Sequence, residues 1–193
     1  APHDATTVAA LEKSAGISPI LARLLAARGV TDPKQVRGFL DASMSNLREP
    51  EELFGIAEAA DSILAAAKAG RKIVIYGDYD ADGMSSTAIL CHCLAAIHVE
   101  PHWYVPDRFD EGYGLNSDAL RRLKQDGAEL VVTVDCGIAS VAEADVAREI
   151  GLELIITDHH NFADRLPAAD VLVHPRLPGS EYPFGDLCGA GVA

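Results

Sequence analysis

The chain has 193 residues, 49% of them hydrophobic and 23% charged, and a formal net charge of −13. That balance excludes a disordered polymer and allows a buried core in one domain, or in one domain with an appendage. No apolar run approaches the roughly 20 residues that span a bilayer, and the acidic excess argues against a general electrostatic grip on nucleic acid. Carboxylates clustered around bound cations would contribute to the same excess, so an enzyme acting on nucleic acid stays open.

The start, Ala1-Pro2-His3-Asp4, has no basic segment followed by an apolar one, so no secretory signal is expected. Residues 1–70 read as a helical leader. Ser18-Pro19 and Asp32-Pro33 are N-cap-plus-proline starts, and Gly29 marks the end of the first of these helices. A longer amphipathic helix is predicted over 51–69, closed by Gly70. From residue 71 the rhythm changes. Short apolar runs at 73–76, 102–105, 130–134, 154–157 and 171–173 alternate with helical periodicity at 85–97, 117–125 and 140–150. That alternation predicts an α/β fold, a mostly parallel sheet flanked by helices. Cys91, Cys93, Cys136 and Cys188 have no framework spacing and fit reduced thiols in a cytoplasmic protein.

Every apolar run leads into acid or imidazole. The first is followed by Asp78-Tyr79-Asp80-Ala81-Asp82-Gly83. In an extended segment alternate side chains share one side, so the three carboxylates are expected to converge, with a cation relieving their repulsion. An EF-hand is excluded, because its twelfth position needs Glu and here is Ile89, and because a strand precedes the motif. The second run leads into residues 106–114, with Arg108 and Gly112-Tyr113-Gly114; the third into Asp135; the fourth into Asp158-His159-His160; the fifth into His174-Pro175-Arg176. In a parallel sheet, ligands bind outside these carboxyl ends. Asp135 alone reads equally as a helix N-cap or a metal ligand. Beside the first triad it becomes a candidate bridge between two cations. Asp and His ligands without clustered Cys favour Mn²⁺ or Mg²⁺, and two such ions are the usual device for phosphoryl hydrolysis. Arg108 and Arg176 are surface arginines or phosphate forks, and a helix starting near Gly83 and Met84 would offer N–H groups to the same anion.

The combination of Asp78-Tyr79-Asp80-Ala81-Asp82-Gly83, Thr133-Val134-Asp135-Cys136-Gly137, Asp158-His159-His160, residues 108–116, Leu166-Pro167-Ala168-Ala169-Asp170, Tyr182-Pro183-Phe184 and residues 187–193 resembles the DHH phosphoesterase superfamily. Within it, the chain is similar to the bacterial single-strand-specific 5′→3′ exonucleases. The resemblance covers residues 71–193, a catalytic domain expected to be cut short at its C-terminal end, where relatives add another metal-binding aspartate and a second domain. It implies two divalent cations, Mn²⁺ or Mg²⁺, held by Asp78, Asp80, Asp82, Asp135 and His159. It implies catalytic roles for His160, Asp135 and Asp158, and contacts from Arg108, Gly112, Tyr113, Asn116 and Arg176 to phosphate or DNA. The implied activity is removal of nucleotides from the 5′ end of single-stranded DNA in repair and recombination. The implied protein is a monomer in the cytoplasm, away from membranes, and its partners are a single-stranded-DNA-binding protein and a helicase. The isolated residues are expected to bind metal weakly and to degrade little DNA. His174 departs from the Asn expected before Pro175. Alternative readings are another enzyme of the superfamily (oligoribonuclease, cyclic-dinucleotide phosphodiesterase or pyrophosphatase) and a non-catalytic scaffold.

Overall fold

The computed structural model describes residues 4–41, 43, 47–162 and 164–193. Of the helical leader, positions 1–3, 42 and 44–46 lie outside the described residues. The chain divides into two units, Ala1–Arg48 and Glu49–Ala193.

The first unit contains α1 (Ala5–Ala15), α2 (Pro19–Ala27) and α3 (Pro33–Leu40). The Ser18 hydroxyl accepts the Leu21 N–H and the Asp32 carboxylate accepts the Lys34 N–H, so both expected caps form. Val8, Leu11, Ala22, Leu25 and Val36 make its core.

The second unit begins differently from the sequence expectation. A helix over 51–69 is replaced by a 3-10 turn at Pro50–Glu52 and a shorter α4 (Ile56–Lys68). The break falls at Gly55, whose φ is 81° and where a Cβ would lie 2.2 Å from the Leu172 carbonyl oxygen. Only glycine meets both demands there.

Five strands follow: β1 (Ile73–Tyr76), β2 (His102–Tyr104), β3 (Leu130–Val134), β4 (Glu153–Thr157) and β5 (Val171–Val173). They form one parallel sheet in the order β2-β1-β3-β4-β5. The helices between and after them are α5 (Ala81–Ala96), α6 (Ser117–Gln125), α7 (Val141–Glu149) and α8 (Gly189–Val192). Strand alternation feeds two cores. Ile73, Ile75, Leu130, Val132, Val134 and Ile155 pack with Ala59, Ala66, Leu94 and Val192 on one face. Val74, Tyr76, Val131, Leu154 and Ile156 pack with Ala119, Leu120, Ala144 and Ala147 on the other. Both faces are covered, as an all-parallel sheet requires.

The chain leaves β1 toward β2 on one side and returns past β1 to β3 on the other. Strand order therefore reverses between β1 and β3, the place where open α/β sheets leave a crevice. No helix among the described residues is long and apolar enough to cross a membrane.

Candidate metal centre

The crevice between the ends of β1 and β3 is filled with carboxylate. Asp78 lies one residue beyond β1, after Gly77, is buried, and accepts its neighbour Tyr79's N–H on Oδ1 at 2.8 Å. The expectation that Asp78, Asp80 and Asp82 lie on one extended segment is not met. Asp80 is the N-cap of α5, its Oδ1 accepting N–H groups from Asp82 (2.8 Å) and Gly83 (2.9 Å). Asp82 is already inside the first helical turn. An aspartate in cap geometry satisfies two amides that a helix start would orphan, so the helix begins at Ala81, four residues before the predicted start. Gly83 permits this, since a Cβ there would sit 2.5 Å from the Asp78 Cβ. The carboxylates still converge, by strand end, cap and first turn.

Asp135 follows β3. It is 1% exposed and holds a left-handed backbone, φ 62°. Its N–H donates to the Thr157 carbonyl at 3.1 Å. Ser140, not Asp135, occupies the N-cap position of α7. Neither Asp135 oxygen accepts a hydrogen bond. His159 Nε2 lies 3.0 Å from Oδ1 and 3.4 Å from Asp82 Oδ2, but its approach to Asp135 lacks hydrogen-bond geometry. Ligand atoms of Asp78, Asp80 and Asp135 lie within 4.8 Å of one another, and so do those of Asp135, His159 and His160. Asp135 belongs to both groups.

The loop after β4 is held by side chains. Asp158 Oδ1 accepts the N–H of His159 (2.7 Å) and of His160 (3.1 Å) and meets His160 Nδ1 at 2.8 Å; Oδ2 accepts the Ile138 N–H at 2.9 Å. Its oxygens are thus engaged in orienting the loop. The carbonyls of the same two histidines are also taken. Arg176 Nη2 donates to His159 O at 2.8 Å, and buried His174 donates from Nε2 to His160 O at 2.8 Å while its Nδ1 accepts the Arg176 N–H at 3.0 Å. This assignment makes His174 neutral, with its proton on Nε2.

Residues 106–116 form the third wall. The Tyr113 hydroxyl lies 3.2 Å from Nδ1 and 3.4 Å from Nε2 of His160. The Arg108 guanidinium sits over the Tyr79 ring, 5.4 Å from its centre, which places a cation beside the aspartate loop. Gly112 is exposed with φ 79°. Asn116 caps α6, its Oδ1 accepting the Asp118 and Ala119 N–H groups. Glu111 ties the segment down through Tyr104, Arg122 and the Asp107 N–H.

Burial and then the Asp82 and Asp80 charges push the Asp135 carboxyl up to about 7. Burial likewise raises Asp78. Burial works against charge on Asp82 too, but the Ala190 and Gly189 amides, with Cys188 and His159, outweigh it and hold that carboxyl below its usual range. Burial works against charge on His160, but its bond to Asp158 and the charges of Asp158, Asp135 and Asp78 together outweigh it and raise the imidazole. A buried carboxylate without a hydrogen-bond partner, ringed by two anions and an imidazole nitrogen, is unstable as an anion unless a cation joins it. Carboxylate oxygen and imidazole nitrogen suit Mn²⁺ or Mg²⁺. The residues fit a divalent metal on this ground.

Sequence reasoning missed three contributors. His174 was visible as the imidazole after the fifth apolar run and as a departure from the expected Asn, but with no role attached. Tyr79 carried no signal beyond its place between two aspartates. The Gly189 and Ala190 amides, which bind Asp82 at 2.7 and 2.8 Å, carried none, because a backbone donor has no residue signature.

Residues 72–193 match the model of the DHH family, N-terminal domain. The single-stranded-DNA-specific exonuclease RecJ of Bacillus subtilis (strain 168) is 46% identical over 190 residues, covering 98% of this chain and 24% of that protein. A crystal structure of exonuclease RecJ bound to manganese superposes with a TM-score of 0.63 at 40% identity, over 72% of this chain and 35% of the other. RecJ from Thermus thermophilus in complex with Mn²⁺ superposes with a TM-score of 0.68 at 30% identity, over 98% of this chain and 26% of the other. The chain thus spans about a quarter of the Bacillus relative's length.

Proposed function

Since the chain belongs to the DHH family, we propose that it carries the cation-binding half of a phosphodiesterase that hydrolyses single-stranded DNA from the 5′ end. The observation that carries this reading is Asp135, buried and without a hydrogen-bond partner where the Asp78–Asp80 and His159–His160 groups meet. Asp78, Asp80 and Asp135 would hold one divalent cation; Asp135, His159 and Asp82 would hold a second. Mn²⁺ fits the imidazole best, and Mg²⁺ is the alternative. When bound, the cations would supply Lewis acidity to the phosphate and make the attacking water a stronger acid.

The chain's own residues supply the rest. Asp158 accepts from His160 Nδ1, which assigns that nitrogen the proton and leaves Nε2 as the working position. With its basicity raised by Asp158, His160 is suited to protonate the departing 3′ oxygen. Tyr113 limits the swing of the imidazole. Arg108, steadied on Tyr79, presents a fork to a terminal phosphate. Arg176 keeps its remaining donors exposed beside the same loop. A single-stranded-DNA-binding protein and a helicase fit this role as partners of a monomeric, cytoplasmic enzyme.

The test uses the full-length protein that contains this chain, with Mn²⁺. It compares 5′-phosphorylated single-stranded DNA, short RNA and a cyclic dinucleotide. Nucleotide release from the DNA in preference to the other two is expected, as is its loss by a factor of about 10³ or more in Asp135→Ala. Preference for RNA or the cyclic dinucleotide would move the assignment to another enzyme of the family. Undiminished cleavage by Asp135→Ala would overturn the cation-bridging role.

A further inference from the structure

Two metal-facing carboxylates are set by one short segment at the far end of the chain. Asp82 Oδ2 accepts the Gly189 N–H at 2.7 Å and Oδ1 accepts the Ala190 N–H at 2.8 Å. The donors lie 107 and 108 residues from Asp82 in sequence. Gly189 also stands against Asp135, where a Cβ would lie 2.5 Å from Oδ1 and 2.6 Å from the Asp135 Cβ. The same Asp135 oxygen faces His159 Nε2. So Gly189, which with Ala190 fixes the plane of Asp82, also leaves the space in which Asp135 keeps its open oxygen.

We propose that the Gly189 and Ala190 amides, together with the missing side chain of Gly189, are positioning elements of the cation centre. They hold Asp82 oriented before a cation arrives, with one lone pair on each oxygen already engaged. The cation then meets a carboxylate that need not reorient. Asp135, by contrast, is left unpaired because nothing but a cation is meant to pair with it. Partners that orient a metal's ligands typically govern affinity by about 10–100-fold. This inference rests on the two-cation reading above and adds which backbone atoms tune it.

The probe is Mn²⁺ alone, added to the full-length protein without substrate, with the free ion followed by electron paramagnetic resonance. Ala190→Pro removes one of the two donors at a position in the first helical turn, where proline is tolerated, and should weaken Mn²⁺ binding about tenfold or more. Ala190→Gly keeps that N–H and should bind as the unaltered protein does. Gly189→Ala keeps both amides but crowds Asp135, and should also weaken binding about tenfold. In the metal-free protein, Asp82→Asn turns one acceptor into a donor, so the Gly189 and Ala190 amides should exchange hydrogen faster. Unchanged Mn²⁺ affinity in both Ala190→Pro and Gly189→Ala overturns the proposal while leaving the two-cation reading in place. An unaltered protein that binds no Mn²⁺ overturns both. If Ala190→Pro does not fold, Gly189→Ala and the exchange rates in Asp82→Asn decide: weaker binding with faster exchange supports the proposal, and no change in either sinks it.

Discussion

Asp135 concentrates the chemistry of the site in one side chain. It combines a left-handed backbone at φ 62°, near-complete burial and two unpartnered oxygens. Each is a cost in the metal-free protein; the backbone alone costs about 1–3 kcal/mol for a residue other than glycine. The titration gives the sign of a test. Unfolded aspartate ionises near 3.8, whereas Asp135 in the folded, metal-free state is pushed up to about 7. Between those values the folded state holds a proton that the unfolded state has lost, so stability falls as pH rises through that window. Asp78 and His160, both raised, act in the same direction, while lowered Asp82 acts only in acid. The unfolding midpoint of the metal-free protein should therefore be lower at about pH 8 than at about pH 5.5. Asp135→Asn should flatten that dependence and raise the midpoint at the higher pH. A midpoint that climbs between those two pH values would contradict the account. Asp135 was legible in the sequence as acid at a strand end. Its left-handed turn was not, because Asp135 N–H meets the Thr157 carbonyl only once β4 is paired with β3.

At the scale of elements, the buried strands were the most legible part, since runs of β-branched residues bounded by polar loops have few other uses. β1, β3 and β5 begin and end where the pattern places them, and the others differ by one residue. The starts of α2, α3, α6 and α7 fall within a residue of the pattern, whereas those of α4 and α5 do not, because there local competition decides. Asp80 as a cap pulls α5 back over Asp82, and Gly55, pressed on the Leu172 carbonyl, cuts α4 short. The loop from β4 is where element and site meet. Its two carbonyls are held by His174 and Arg176, from beyond β5, and its two amides by Asp158. Replacing His174 with Phe keeps an aromatic ring of similar size and deletes both imidazole hydrogen bonds. With two partly buried backbone groups left unpaired, it should cost about 1–3 kcal/mol in a denaturant titration and weaken Mn²⁺ binding through His159. Asn offers one donor and one acceptor, so His174→Asn should recover part of both losses. If Phe and Asn behave alike, the imidazole is filling space and not holding the loop.

For the whole molecule, the net charge of −13 and the sheet topology describe the same design from two sides. The reversal of strand order between β1 and β3 gathers Asp78, Asp80, Asp82, Asp135 and Asp158 into one crevice, and a polyanionic substrate could not approach that field unaided. Surface repulsion yields to monovalent salt, because exposed charges are screened within about 8–10 Å at ordinary ionic strength. Buried Asp135 and Asp78 are not reached that way. The two sources of strain therefore separate experimentally. Mn²⁺ at about a hundred times its dissociation constant should stabilise the folded protein by about 2.7 kcal/mol per site, by mass action on the native state alone. Sodium chloride of matched ionic strength should give a small fraction of that. Thermal midpoints measured with Mn²⁺, with matched sodium chloride and with chelator would decide. The Mn²⁺ shift should be large in the unaltered protein and nearly absent in Asp135→Asn. If sodium chloride reproduces the Mn²⁺ shift, the carboxylates are an ordinary acidic surface and the crevice between β1 and β3 has no claim to be a metal centre.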